Sequence, residues 1–228
     1  MTSRVLLFDL DGTLTDSRLG IVRCFRHALE RLGRPCPPDD VLASFIGPPL
    51  RTAFATLLQS TDPKSIETAM MLYRQRLAEV GLYENQVYDG VPEMLERSTN
   101  AASALYVVTS KLTVFAQRGL KHFGLDHRFA GIYGSELDGR FEQKTDLVAH
   151  LLASERIPAE LAVMVGDRAV DILAARANGV RSIGVLWGYG SEGELVDAGV
   201  DELCAAPHEL GSCLSKIARR QERSSLQG

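Results

Sequence analysis

Two acidic pairs at short spacing are the residues in this sequence best able to do chemistry. Asp9 and Asp11 stand two apart in Phe8-Asp9-Leu10-Asp11-Gly12-Thr13, a spacing that puts both carboxylates on one side of an extended chain. Neighbouring carboxylates repel, and one is pushed to a raised pKa unless a cation intervenes. Such a pair can divide nucleophilic and general acid–base work, or help hold a hard divalent cation through oxygen. Gly12 permits a tight turn, and Thr13 offers a hydroxyl and an amide to an anion. The pattern D-x-D alone leaves a plainer alternative open, two solvated acids in a loop.

The second pair is Asp167 and Asp171 in Gly166-Asp167-Arg168-Ala169-Val170-Asp171. Four apart, they share a face in the first turn of a helix. Capping explains one acid there easily; it does not require two. Lys144 breaks a local rule, because a cation at an expected helix start opposes the helix dipole. It could neutralise charge between acids and a phosphate; the alternative is a solvated surface Lys. Thr109, Ser110 and Lys111 add hydroxyls and a charge suited to a phosphate oxygen. Gly188-Tyr189-Gly190-Ser191-Glu192-Gly193 fits G-x-G-x-x-G, but too little sheet follows it for a dinucleotide half, and a flexible turn with Ser191 as N-cap suffices. The five histidines show no metal-ligand spacing, and Trp187 reads as packing.

The elements that must position these groups follow from the apolar pattern. Val5–Phe8 is a continuous apolar run, as in a strand buried on both faces. From Ser17 to Gly81 the periodicity is helical, with Ile21, Phe25, Ala28, Leu29 and Leu32 on one face, and no convincing strand. From about Tyr83 strands alternate with helices: strands at 104–108, 131–133, 162–165, 182–186 and 201–204, helices near 91–99, 113–123, 144–155, 171–178 and after 192. A last helix runs into a polar tail from Arg219, expected to fray. Alternation of this kind predicts an α/β fold, a Rossmann-like parallel sheet with helices on both faces, carrying an inserted all-α cap. The expected division is a core of residues 1–15 and 84–228 and a cap of 16–83. Ligands in open parallel sheets bind beyond the strands' C-terminal ends, where Asp9 and Asp11, Thr109 to Lys111, and Asp167 and Asp171 all fall.

Composition narrows the function classes. The chain has 228 residues and a formal net charge of −4. Mild acidity argues against a nucleic-acid polymer or a membrane surface as partner. No apolar run approaches the roughly 18 residues needed to span a bilayer, and the apolar stretch ending at Asp9 is too short for a signal peptide. Four scattered cysteines without C-x-x-C spacing fit a reducing, cytoplasmic location. The expected partner is a small phosphorylated substrate, bound by a monomer or homodimer.

Together the motifs resemble those of the haloacid-dehalogenase-like superfamily. Phe8-Asp9-Leu10-Asp11-Gly12-Thr13-Leu14-Thr15-Asp16-Ser17 resembles its first motif, Val107-Val108-Thr109-Ser110-Lys111 its second, Lys144 its third, and Val165-Gly166-Asp167 through Asp171 its fourth. They occur in family order and span nearly the whole chain. The helical insertion resembles the cap of the phosphatase branch, and within it the phosphoglycolate phosphatase and 5′-nucleotidase-like group. Ile46-Gly47-Pro48-Pro49-Leu50-Arg51, Tyr133 to Gly139 and Gly188-Tyr189-Gly190 look closest to the 5′-nucleotidase-like members. Leu112 departs from the Pro common after the second-motif Lys, which should affect loop stiffness.

The resemblance implies a Mg²⁺-dependent phosphatase. Asp9 would attack phosphorus to give an aspartyl-phosphate, and Asp11 would protonate the leaving oxygen and then activate water. Thr109 and Lys144 would hold and neutralise the phosphoryl oxygens. Mg²⁺ would be held by Asp9, the backbone carbonyl of Asp11 and Asp167, with Asp171 at or just behind the metal. Arg51 would meet the substrate from the cap. Two alternatives accompany this reading: a sugar-phosphate mutase of the beta-phosphoglucomutase kind using the same Asp pair, and a non-catalytic binding protein on the same fold.

Overall fold

Val5-Leu6-Leu7-Phe8 forms strand β1 (Val5–Phe8), and all four residues are buried. A strand with no polar face has to be covered from both sides. The computed structural model describes residues 4–225. After β1 come a two-residue strand β2 (Thr15–Asp16), helices α1 (Arg18–Arg31), α2 (Asp39–Ala43), α3 (Leu50–Leu58) and α4 (Pro63–Arg76), a π-helical turn at Leu77–Gly81, and strand β3 (Gln86–Val87). The alternating part is α5 (Val91–Ala101), β4 (Ala104–Leu112), α6 (Thr113–His122), β5 (Gly131–Ser135), α7 (Lys144–Ser154) and β6 (Ala162–Gly166), then α8 (Ala169–Ala177), β7 (Arg181–Val185), α9 (Glu192–Asp197), β8 (Glu202–Cys204) and α10 (Leu210–Ser225).

The sheet order is β5-β4-β1-β6-β7-β8, every pairing parallel. Strand alternation sends successive residues to opposite faces. Leu6, Phe8, Val107 and Val165 pack with Leu95, Leu120 and Ile217 from α5, α6 and α10. Leu7, Val108 and Met164 pack on the other face with Leu147, Leu151 and Ala174 from α7 and α8. This is the Rossmann-like architecture the alternation predicts.

The helices between β2 and β3 build a separate apolar cluster in which Phe25 packs against Phe54 and Tyr73, with ring centroids 5.3 and 5.0 Å apart. Helix α4 starts sharply: Asp62 accepts from the amides of Lys64 and Ser65, and Pro63 occupies the first turn, where its missing N–H costs nothing.

Local departures from the sequence expectation are few. β2 and β3, invisible as two-residue elements, form an antiparallel ribbon where the chain enters and leaves the helical insertion. Phe45 to Pro49 lies outside the helices, since Gly47 and two prolines interrupt the pattern. Strand β4 continues through Thr109, Ser110 and Lys111 to Leu112, with a register shift against β5. Helix α10 carries the polar stretch after Arg219 as far as Ser225; residues 1–3 and 226–228, the end of that tail, lie outside the described residues. The four cysteines are free thiols. Among the described residues, no helix is long and apolar enough to cross a membrane.

Candidate active site

Two strand ends and two helix starts meet at one place. β1 delivers Asp9, whose amide donates to Val165 O at 2.9 Å and ties it to the end of β6. β6 runs out into Asp167, and α8 carries Asp171 in its first turn. Lys144 is the first residue of α7, and its ammonium donates to Asp9 Oδ1 at 2.7 Å and to Asp171 Oδ1 at 2.6 Å. Lys144 is only 5% exposed, so the solvated alternative is excluded. Asp171 does both things the sequence left open: its Oδ2 accepts the Arg168 amide at 3.0 Å, capping α8, while its Oδ1 faces the site.

Asp9, Asp167 and Asp171 each place a carboxylate oxygen within 4.8 Å of the others, all three residues buried. Burial, helped by Asp171 and Asp167 and opposed by Lys144, raises Asp9 to about 8. Burial and Asp171 raise Asp167 to about 7, against the pull of the Tyr189 amide. Burial would lower Lys144, but Asp171 and Asp9 outweigh it and hold the ammonium above its ordinary value. Three buried carboxylates faced by one ammonium form an oxygen-rich, under-neutralised cluster, the donor set a hard divalent cation takes. The Asp11 carboxylate stands apart from this cluster and pairs with Lys111 at 2.6 Å.

Asp9 and Asp11 open into a cleft of about 640 Å³, with Thr109, Ser110 and Lys111 on its wall. Thr109 Oγ1 accepts the Lys111 amide at 3.2 Å, and Ser110 O accepts from Ser135 Oγ at 2.9 Å. Lys144, Asp167 and Asp171 do not line this cleft. Leu112 does, so this departure from the family motif is itself a wall of the cleft.

Several functional contacts escaped the sequence reading. The Gly188–Gly190 segment is a clamp on Asp167, not a free turn: the Tyr189 amide donates to Asp167 Oδ2 at 2.7 Å. A Cβ on Gly188 would lie 2.3 Å from Asp167 Cβ and 2.4 Å from Gly12 O. Two glycines around a Tyr after a buried strand were the available signal. Ser191 does cap α9, accepting from the Glu194 amide at 3.1 Å. The Thr13 hydroxyl, expected to face an anion, is spent on Asp167 Oδ1 at 3.2 Å. Trp187 does more than pack, since its Nε1 donates to Thr13 O at 3.0 Å.

In the helical insertion, Arg51 bridges Glu142 and Glu67 and is absent from the cleft lining, where Arg74 is found. Arg168 reaches from the end of β6 to the backbone carbonyl of Ile46 and to Glu194. It fastens a wall of the cleft to the sheet.

The model of the family described as haloacid dehalogenase-like hydrolase matches residues 6–185. A 5′-nucleotidase of Pseudomonas aeruginosa is 50% identical over 190 residues, covering 83% of this chain and 86% of that protein. The tyrosine-protein kinase PtkA of Mycobacterium tuberculosis is 41% identical over 187 residues, 82% of this chain and 63% of that one. A phosphoglycolate phosphatase of Xanthomonas campestris is 34% identical over 188 residues, 82% of this chain and 84% of that protein. The solved structure of a predicted phosphatase from Clostridium acetobutylicum superposes with a TM-score of 0.90 at 36% identity, covering 95% of this chain and all (100%) of that one.

Proposed function

The chain belongs to the haloacid dehalogenase-like hydrolase family, and from that membership we propose that it is a cytoplasmic, Mg²⁺-dependent phosphatase of small phosphomonoesters, acting as a monomer or homodimer. The observation that carries the reading is the setting of Asp9. Its buried carboxylate opens into the cleft, is gripped from behind by Lys144, and lies within reach of Asp167 and Asp171.

Asp9 attacks phosphorus while the bond from phosphorus to the leaving oxygen breaks, giving an aspartyl-phosphate. Asp11 protonates that leaving oxygen, then takes a proton from the water that cleaves the acyl phosphate and frees Asp9. Thr109, Ser110 and Lys111 hold the phosphoryl oxygens at the cleft wall. Lys144 neutralises charge behind Asp9. Asp9, Asp167 and the backbone carbonyl of Asp11 would hold Mg²⁺, with Asp171 behind them fixing Lys144. When bound, the ion supplies charge neutralisation that lets a carboxylate approach a phosphate dianion. Residues 16–83 serve as the cap that excludes water.

The cleft lining favours a nucleoside 5′-monophosphate over phosphoglycolate. Phe25, Phe45, Ile46, Tyr73, Leu77 and Phe115 face the cleft, an apolar lining that suits a base better than a small hydrophilic acid. A two-carbon glycolate would leave those apolar walls against water. The relationship to a 5′-nucleotidase supports the same choice.

The test is inorganic phosphate release from nucleoside 5′-monophosphates, phosphoglycolate and sugar phosphates, with and without Mg²⁺, beside Asp9→Asn. Metal-dependent release, fastest with nucleotides and lost in the variant, is expected. Conversion of a phosphorylated sugar with little free phosphate would replace this reading by the mutase.

A further inference from the structure

Two arginines compete for the role of meeting the leaving group, and their surroundings separate them. Arg51 is committed: Nε lies 3.1 Å from Glu142 Oε2, and the far end of the guanidinium pairs with Glu67. Arg74, on α4 beside Tyr73, lines the cleft that Asp9 and Asp11 open into. Its Nε is buried without a hydrogen-bond partner, and no salt bridge joins its side chain to another described residue. Glu67 and Glu142 are the acids whose fields reach Arg74, and both already serve Arg51. Burial draws the Arg74 guanidinium below its ordinary range, with Glu67 and Glu142 only partly opposing.

A guanidinium carries five N–H donors and no acceptor. A buried donor left unmade is costly, so its retention here points to an acceptor that arrives with the substrate. The walls around it are apolar and aromatic, Phe25, Phe45, Ile46, Tyr73 and Leu77 among them. Apolar walls with an unpaired donor-only head suit a flat body bearing an oxygen acceptor at its edge.

We infer that Arg74 is the specificity-determining residue of the cleft. It donates to a carbonyl or carboxylate oxygen of the leaving group, so that a base carrying an oxo group is favoured over the same base carrying an amino group. This rests on the phosphatase reading above and adds the chemical class of leaving group to it. Inosine and adenosine 5′-monophosphates isolate the effect: they match in size, and the substituent at C6 is an acceptor in one and a donor in the other. An amino group facing Arg74 sets donor against donor and leaves the guanidinium unpaired, the situation in which enzymes discriminate strongly.

The experiment compares kcat/KM for the two nucleotides in the wild-type protein, Arg74→Met and Arg74→Gln, with thermal unfolding as the check on folding. The wild-type ratio of inosine to adenosine 5′-monophosphate is expected to exceed about tenfold. It should fall to near one in Arg74→Met. Arg74→Gln keeps a polar side chain should Met fail to fold, and its amide both donates and accepts, so it too should erase the ratio. A wild-type ratio near one, or a preference that survives both substitutions, overturns the assignment while leaving the phosphatase intact. Absence of phosphate release from every ester would instead overturn the phosphatase reading. Calorimetric binding of the same two nucleotides to the same proteins would then decide: tighter inosine 5′-monophosphate binding lost with Arg74 supports the assignment, and equal binding overturns it.

Discussion

Lys111 Nζ donates to Asp11 Oδ1 at 2.6 Å, joining the second carboxylate of the D-x-D pair to the end of β4 within the lining of the cleft. Asp9 is held instead by Lys144, so the two carboxylates have different ammonium partners and can act separately. An alkoxide leaving group needs a proton, whereas a nitrophenolate leaves without one. Asp11→Asn is therefore expected to slow alkyl phosphate esters by about 10²–10⁴-fold and p-nitrophenyl phosphate far less. Steady-state kcat on both ester classes checks this; equal losses would remove Asp11 from the leaving-group role.

Lys144 carries charge for two buried aspartates at once, with contacts of 2.7 and 2.6 Å. Removing one partner of a buried ion pair usually costs about 3–5 kcal/mol, because the remaining charge is stranded. Lys144→Met strands two carboxylates beside a third. We expect it to lower the unfolding free energy by about that amount, with Mg²⁺ restoring part of the loss. Urea denaturation with and without the ion measures both; a variant as stable as wild type without metal would mean that Asp9 and Asp171 find their counter-charge elsewhere.

How far the sequence carried depends on the range over which each signal acts. Asp9, Asp11, Lys144, Asp167 and Asp171 were legible because strand ends and helix starts are local, and the fold brings those local points to one edge. Val5–Phe8 was legible because a run with no polar face has one kind of environment. Arg51 and Arg74 could not be ranked this way. Both sit on helices of the insertion, and only packing decides that Glu67 and Glu142 take the first and leave the second facing the cleft. The clamp at Gly188 was hidden for a similar reason, since its meaning lies in how close Asp167 comes, and spacing along the chain carries no distance across it.

That closeness makes Gly188 testable. An added Cβ would stand 2.3 Å from Asp167 Cβ and 2.4 Å from Gly12 O, and neither neighbour is the free end of a flexible side chain. Gly188→Ala must displace Asp167 or break the 2.7 Å bond from the Tyr189 amide that orients it. Loss of such orienting contacts typically weakens a metal site by about 10–100-fold. The Mg²⁺ concentration giving half-maximal activity should rise by a factor in that range. Gly193→Ala is the control, because its Cβ would meet nothing nearer than Ser191 Oγ at 3.9 Å. An effect of equal size at both positions would assign the loss to a general effect of the added methyl and not to Asp167.

Glu84 joins the two ends of the helical insertion and should make stability depend on pH. It accepts from Arg76 at 2.7 and 3.2 Å and from Arg23 at 2.6 Å, and the Arg76 hydrogen bonds hold its carboxyl below its usual 4.5. Arg23 is half exposed, 50% against 19% for Arg76, so solvent screens its share and Arg76 supplies most of the effect. A carboxyl whose folded pKa is depressed adds stability above its unfolded value and loses it as pH falls through the folded value. Glu84→Gln is accordingly expected to cost about 1–2 kcal/mol at neutral pH. The gap to wild type should close as the pH is lowered past the carboxylate range, below about 4. Thermal unfolding of both proteins across that range checks the sign: a gap that widens in acid would mean that the charge on Glu84 opposes the folded junction.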